Sequence, residues 1–92
     1  MEKEPRVAKE PVGTETIRIL AFAQAKELLG FTEKMLVVDR SKTPREIVLE
    51  IEPSFFEKIH GARVAIDQRY ASWDQPIEEA EEMAIIPPVS GG

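Results

Sequence analysis

Residues 16–30, TIRILAFAQAKELLG, read as a strand that turns directly into a short helix. Over Thr16–Ala23 the apolar side chains are almost continuous. By the two-residue period of a strand, Ile17, Ile19 and Ala21 share one face, with Leu20 and Phe22 on the other beside Arg18. So continuous a run predicts a central strand covered on much of both faces. QAKELL then supplies good helix formers, and Gly30 is the residue type that ends a helix in a left-handed conformation. One or two helical turns fit here.

Working outward from that unit, KMLVVD at residues 34–39 is the second strand. Thr43, Pro44 and Glu46 form the signature of a capped helix: Thr43 as N-cap, Pro44 at the first helical position, and Glu46 reaching back to complete a capping box. Ile47, Val48 and Ile51 follow at helical spacing as its buried stripe, and Pro53 ends it. Ser54 is placed to cap a further short turn carrying Phe55, Phe56 and Ile59, which Gly61 stops. In RVAIDQRYASW, residues 63–73, Asp67-Gln68 is a turn between Val64–Ile66 and a returning strand at Tyr70–Trp73. Ile77–Glu82 reads as a polar connection and Met83–Ile86 as the last strand. Several strands around one main helix predict an α+β fold, a sheet of about five strands with the helix on one face.

On the other side, residues 1–14, MEKEPRVAKEPVGT, lack apolar periodicity and carry two prolines and a glycine. They are expected to be a flexible extension, followed by a domain at 15–86 and an extended tail at 87–92. A chain of 92 residues has room for one domain. Seventeen acidic against twelve basic residues give a net charge of −5, with no basic cluster, which argues against nucleic acid and favours a basic protein surface as partner. The absence of cysteine excludes disulfides, thiolate ligands and cysteine nucleophiles, and favours a reducing compartment. No apolar run is long enough for a membrane span and Met1–Glu4 lead into no signal-like apolar stretch, so a cytoplasmic location is expected.

The sequence closes on IIPPVSGG, residues 85–92. Pro87 and Pro88 remove backbone donors and favour an extended course, so the sheet stops and the chain projects. Glycine has no Cβ, so Gly91–Gly92 would pass through a narrow channel in another protein and leave the carboxylate open to attack. A carboxylate is a poor electrophile; adenylation by ATP would make it a mixed anhydride that sulfur could displace as a thiocarboxylate.

PPVSGG is similar to the PPVxGG end of the small subunits of molybdopterin synthase, a family of ubiquitin-like sulfur carriers. The resemblance extends through IRILAFAQAKELLG (residues 17–30) and VAIDQRYASWDQPIEEAEEMAIIPPVSGG (residues 64–92), with residues 50–62 only loosely matched. It implies a β-grasp fold and a dedicated activating enzyme that uses ATP to adenylate Gly92. A sulfur donor would then make the thiocarboxylate, and a large catalytic subunit would receive the tail within a heterotetramer. There the carrier would give sulfur to cyclic pyranopterin monophosphate to form the molybdopterin dithiolene. Carried onto this chain, Gly92 bears the acyl group and Gly91 threads behind it. Pro87, Pro88, Val89 and Ser90 line the partner's channel, and Phe22 contacts the partner. Asp67 stands where asparagine is common, and Ala80 where a turn glycine is common, which weakens the expected turn.

Other constellations are quieter. His60, the only histidine, reads as a helix-end surface residue; no metal ligand set and no phosphate-binding loop are visible, so this chain is expected to bind no cofactor itself. Glu78, Glu79, Glu81 and Glu82 read first as a solvated acidic turn, and second as a steering patch. Phe22, Ile85 and Ile86 together exceed what so small a domain needs in its core, so some of them are candidates for an exposed apolar patch. Two further readings stand beside the molybdopterin one: a sulfur carrier for thiamine thiazole synthesis or transfer RNA thiolation, and a ubiquitin-like interaction module or conjugated modifier.

Overall fold

A computed structural model describes residues 14–88 of the chain. Most of the expected extension (residues 1–13) and the end of the tail (Val89, Ser90, Gly91 and Gly92) lie outside the described residues. The elements follow in the order β1 (Thr14–Ala21), α1 (Ala23–Leu29), β2 (Glu33–Asp39), α2 (Pro44–Ile51), α3 (Phe55–Lys58), β3 (Arg63–Ile66), β4 (Arg69–Ala71) and β5 (Glu82–Ile86). The strands make one mixed sheet in the order β2-β1-β5-β3-β4. β1 and β5 run parallel, and the other neighbours are antiparallel. A parallel pair requires a long crossover, and here everything between β1 and β5 serves as it.

One face of the sheet holds the core. Ile17, Ile19 and Ala21 from β1, Val64 from β3, and Met83 and Ile85 from β5 are sealed from solvent against Ala25, Ile47, Val48 and Phe55 of the helices. Phe55 is the largest of these side chains, and burial of one phenylalanine contributes about 1.5–3 kcal/mol. Phe56 meets it edge-on at 5.0 Å, and Trp73 meets Phe56 edge-on at 4.9 Å. The capping box forms as expected: the Glu46 amide donates to Thr43 Oγ1 at 3.2 Å and the Thr43 amide to Glu46 Oε1 at 2.9 Å. Gly30 closes α1 in a left-handed conformation, φ 90°.

Several local expectations shift. β1 begins at Thr14, where it pairs with Asp39, and ends at Ala21, so Phe22 lies just beyond the strand. Its second face is open: Arg18 is exposed and Leu20 only half-buried, because the helices all pack on the Ile17–Ile19 side. Ser54 caps nothing; its hydroxyl donates to the Glu52 carboxylate instead. β4 ends at Ala71, and Trp73 folds inward, its indole N–H donating to the Ala62 carbonyl at 3.0 Å. The 77–82 connection is not simply polar, since Ile77 and Ala80 are buried and the Arg40 guanidinium donates to the Glu78 and Ala80 carbonyls. The left-handed residue of that turn is Glu78, φ 53°, so it makes no demand for glycine at Ala80.

Candidate functional site

The site is built where β1 and β5 end side by side. Their parallel register, from Arg18↔Glu82 to Ala21↔Ile85, brings Phe22 and Ile86 to the same edge of the sheet. Ile85 points into the core, Ile86 is half-buried on the opposite face, Pro87 is buried, and Pro88 is exposed. The tail therefore leaves the domain at Pro88 rather than Pro87. Pro87 is thus packed against the domain at the tail's root, and Pro88 is the first exposed residue after β5.

The helix-free face of the sheet carries a continuous apolar strip next to that root. Register places Leu20, Ala84, Ala65 and Tyr70 in one row across β1, β5, β3 and β4. Ala84 and Ala65 are each only 7% exposed, although they lie outside the main core cluster. Their small side chains make the middle of the row low between Leu20 and the exposed Tyr70, a shallow trough. Tyr70 stands 61% exposed at one rim, with the Arg63 guanidinium 3.8 Å from its ring centroid. Phe22, 47% exposed, stands at the tail end. Its position follows from the turn into α1: Phe22 is extended, Ala23 takes φ 50°, and the Phe22 carbonyl accepts the Ala25 amide at 2.9 Å. Met35 and Val37 add exposed apolar surface on β2.

Charge gathers at the other end of this face. Arg18 sits between Glu33 (3.3 Å) and Glu82 (3.6 Å). Asp67 Oδ1 accepts the amides of Glu81 and Glu82 at 2.9 and 3.0 Å, so the aspartate tethers the β3–β4 turn to β5. Asp67 and Gln68 take φ 49° and 71°, the left-handed pair of a tight hairpin. Glu78, Glu79 and Glu81 are exposed and Glu82 half-buried. His60 is exposed at the end of α3, its Nε2 3.0 Å from the Glu57 carbonyl. Among the described residues no cluster of His, Cys, Asp or Glu is arranged to hold a metal ion, and no helix is long and apolar enough to cross a membrane.

Of the residues singled out from sequence, the structure thus brings Phe22, Pro87 and Pro88 to one edge, while Val89, Ser90, Gly91 and Gly92 lie outside the described residues. Leu20, Ala65, Ala84, Arg63 and Tyr70 were missed. The strand period places Leu20 with Phe22, but only the sheet order shows that Ala84, Ala65 and Tyr70 lie beside them.

Among the described residues the site is thus an apolar sheet face beside the root of the tail, with Arg18, Asp67, Gln68, Glu81 and Glu82 lining a polar hollow at its other end. Two solved structures share the architecture. SAMP1 from Haloferax volcanii superposes with a TM-score of 0.67 at 21% identity, covering 85% of this chain and 100% of that one. A ubiquitin from Caldiarchaeum subterraneum gives 0.55 at 15% identity, covering 87% and 100%. The fold is the ubiquitin-like β-grasp. Over 97 aligned positions the chain is 31% identical to the molybdopterin synthase sulfur carrier subunit of Arabidopsis thaliana, covering 100% of both chains. A family model described as the ThiS family matches residues 19–92, from within β1 to the final glycine. The chain belongs to the ThiS family.

Proposed function

We propose that this chain is the sulfur-carrier subunit of a molybdopterin synthase, acting through its closing Gly91–Gly92 pair. The observation that carries the reading is the tail root: β5 runs out through a buried Pro87 into an exposed Pro88, beside an uncovered apolar face. The end-to-end likeness to a plant carrier subunit supports it. In the first step a Gly92 carboxylate oxygen attacks the α-phosphorus of ATP on an activating enzyme and pyrophosphate leaves. A donor persulfide's outer sulfur then attacks the acyl carbon and displaces AMP to give an acyl disulfide. A second thiol attacks the donor-side sulfur, breaking the S–S bond to leave the thiocarboxylate and carry the donor away as a disulfide. ATP is a substrate of the activating enzyme and needs no site on this chain. The charged tail, Val89–Gly92, enters a large catalytic subunit and gives its sulfur to cyclic pyranopterin monophosphate. Two such deliveries make the dithiolene, and hydrolysis returns the glycine carboxylate.

The partner supplies the pocket and this chain supplies position. The trough around Leu20, Ala84, Ala65 and Tyr70, together with Phe22, is the surface that seats the partner. The arrangement is a heterotetramer, with one carrier at each end of a large-subunit dimer, in the cytoplasm. Reconstitution with the large subunit and the pyranopterin tests the assignment. The charged wild-type chain is expected to yield molybdopterin, and a chain lacking Gly92 to yield none. A chain that is charged yet gives no molybdopterin with that subunit belongs to another sulfur pathway. A truncated chain that still supports product formation would exclude the acyl mechanism.

A further inference from the structure

The pairing of β3 with β5 ends at Arg63↔Ile86. Beyond it the ladder has no donors to use, because neither Pro87 nor Pro88 has an N–H. What meets the chain there is a side contact from the loop preceding β3. Gly61 takes φ +82°, and a Cβ built on it would lie 3.7 Å from Pro88 Cβ and 3.8 Å from Pro88 Cγ. The bare side of Gly61 therefore faces the Pro88 ring with room for one methyl group and little more. This loop is tied on both flanks. His60 Nε2 is 3.0 Å from the Glu57 carbonyl, and the Ala62 carbonyl accepts the Trp73 indole N–H at 3.0 Å.

We infer that the His60–Ala62 loop is a rail that sets the direction in which the tail leaves the domain, with Gly61 as a positioning residue acting through Pro88. Gly92 is four positions beyond Pro88, a reach of about 13 Å when extended. An error of roughly 10° at the root then moves the reacting end by about 2 Å over that reach. Misplacement by about 1 Å can cost a positioned reaction roughly a hundred-fold, so the root angle matters to a reaction at the tip.

The functional consequence rests on the carrier reading; the contact itself does not. The test uses the full chain with its activating enzyme, ATP and pyrophosphate exchange. Asparagine tolerates the left-handed conformation, so Gly61→Asn keeps the backbone while filling the space against Pro88. It is expected to lower kcat/KM for adenylation about ten-fold with the melting temperature unchanged. In a Pro88→Ala background, where the ring is gone, the same substitution is expected to cost less than about two-fold, a non-additivity that marks direct coupling. No loss from Gly61→Asn, or equal losses in both backgrounds, would overturn the rail. So would the absence of a nuclear Overhauser effect between Gly61 Hα and the Pro88 ring in the free wild-type chain. A wild-type chain that shows this effect but is never adenylated would leave the contact standing and remove the carrier reading instead.

Discussion

Ala23 carries a methyl group in a backbone region that L-residues avoid, φ 50°, and the side chain is exposed, so packing returns little for the strain. A left-handed conformation costs a residue with a Cβ roughly 1–2 kcal/mol. Ala23→Gly is therefore expected to raise stability by about 1 kcal/mol in a urea titration, after glycine's own entropy loss is set against the relief. A destabilised variant would show that the turn is held by something other than tolerance of strain. No local signal in AFAQAKE marks this residue: Ala23 reads as the last residue of the strand, just before the helix formers begin, whereas it is the first residue of α1. Phe22 stands out in the sequence twice, through the resemblance and as one of three apolar residues that are candidates for an exposed patch. Its exposure depends on the reversal at Ala23, which periodicity cannot see.

α2 was legible almost completely, because its cap, proline and stripe all act within a few residues of one another. Thr43→Ala removes the hydroxyl acceptor and is expected to cost about 1 kcal/mol, a melting shift of about 4–8 °C for a domain of this size. Elements whose limits depend on distant partners were less legible. β1 starts early because Asp39 pairs with Thr14, and β4 stops early because Trp73 is drawn toward Phe56 and the Ala62 carbonyl.

Three element ends also share a carboxylate held below its ordinary range. For Asp39 the chief cause is the Ser41 amide, then the Ser41 hydroxyl; for Glu52 it is the Ser54 hydroxyl, then its amide; for Asp74 it is the Arg45 guanidinium at 2.7 Å. Their folded values lie below their unfolded ones, so the stabilisation is complete above the unfolded range and disappears as pH falls through the folded values. Melting temperature is thus expected to be flat from neutral pH to about pH 5 and to decline below it, with a shallower decline in Asp74→Asn. Asp39 and Asp74 are solvent-exposed and Glu52 is half-buried, so each contribution is small. An acid decline as steep in the triple amide variant as in the wild type would place its cause elsewhere.

Over the whole molecule, the two sheet faces divide the work. The inner face uses Ile17, Ile19, Met83 and Ile85 to hold the fold together, and the outer face leaves Phe22 and Tyr70 exposed and Leu20 half-buried, the surface proposed above to seat the partner. Phe22→Asp should consequently leave the melting temperature within a few degrees of wild type. It should weaken binding to the activating enzyme or large subunit at least about ten-fold by calorimetry, as loss of an aromatic anchor commonly does. Unchanged affinity would move the docking surface away from this face. The sheet order and outer trough were the least legible features of the sequence, since they arise from the β1–β5 pairing across more than sixty residues. The family was the most legible, since PPVSGG is contiguous and the family match runs to Gly92.

The central claim concerns one carbonyl carbon, so the most direct measurement is made there. The full chain is incubated with its activating enzyme, ATP and a sulfur source, and the product is fragmented to localise any gain in mass. Localisation is essential, because an oxygen added to Met1, Met35 or Met83 nearly matches the mass gained when sulfur replaces oxygen. That replacement is expected on Gly92 and nowhere else. A Gly92 that stays a carboxylate, beside a control carrier charged in the same mixture, would contradict it.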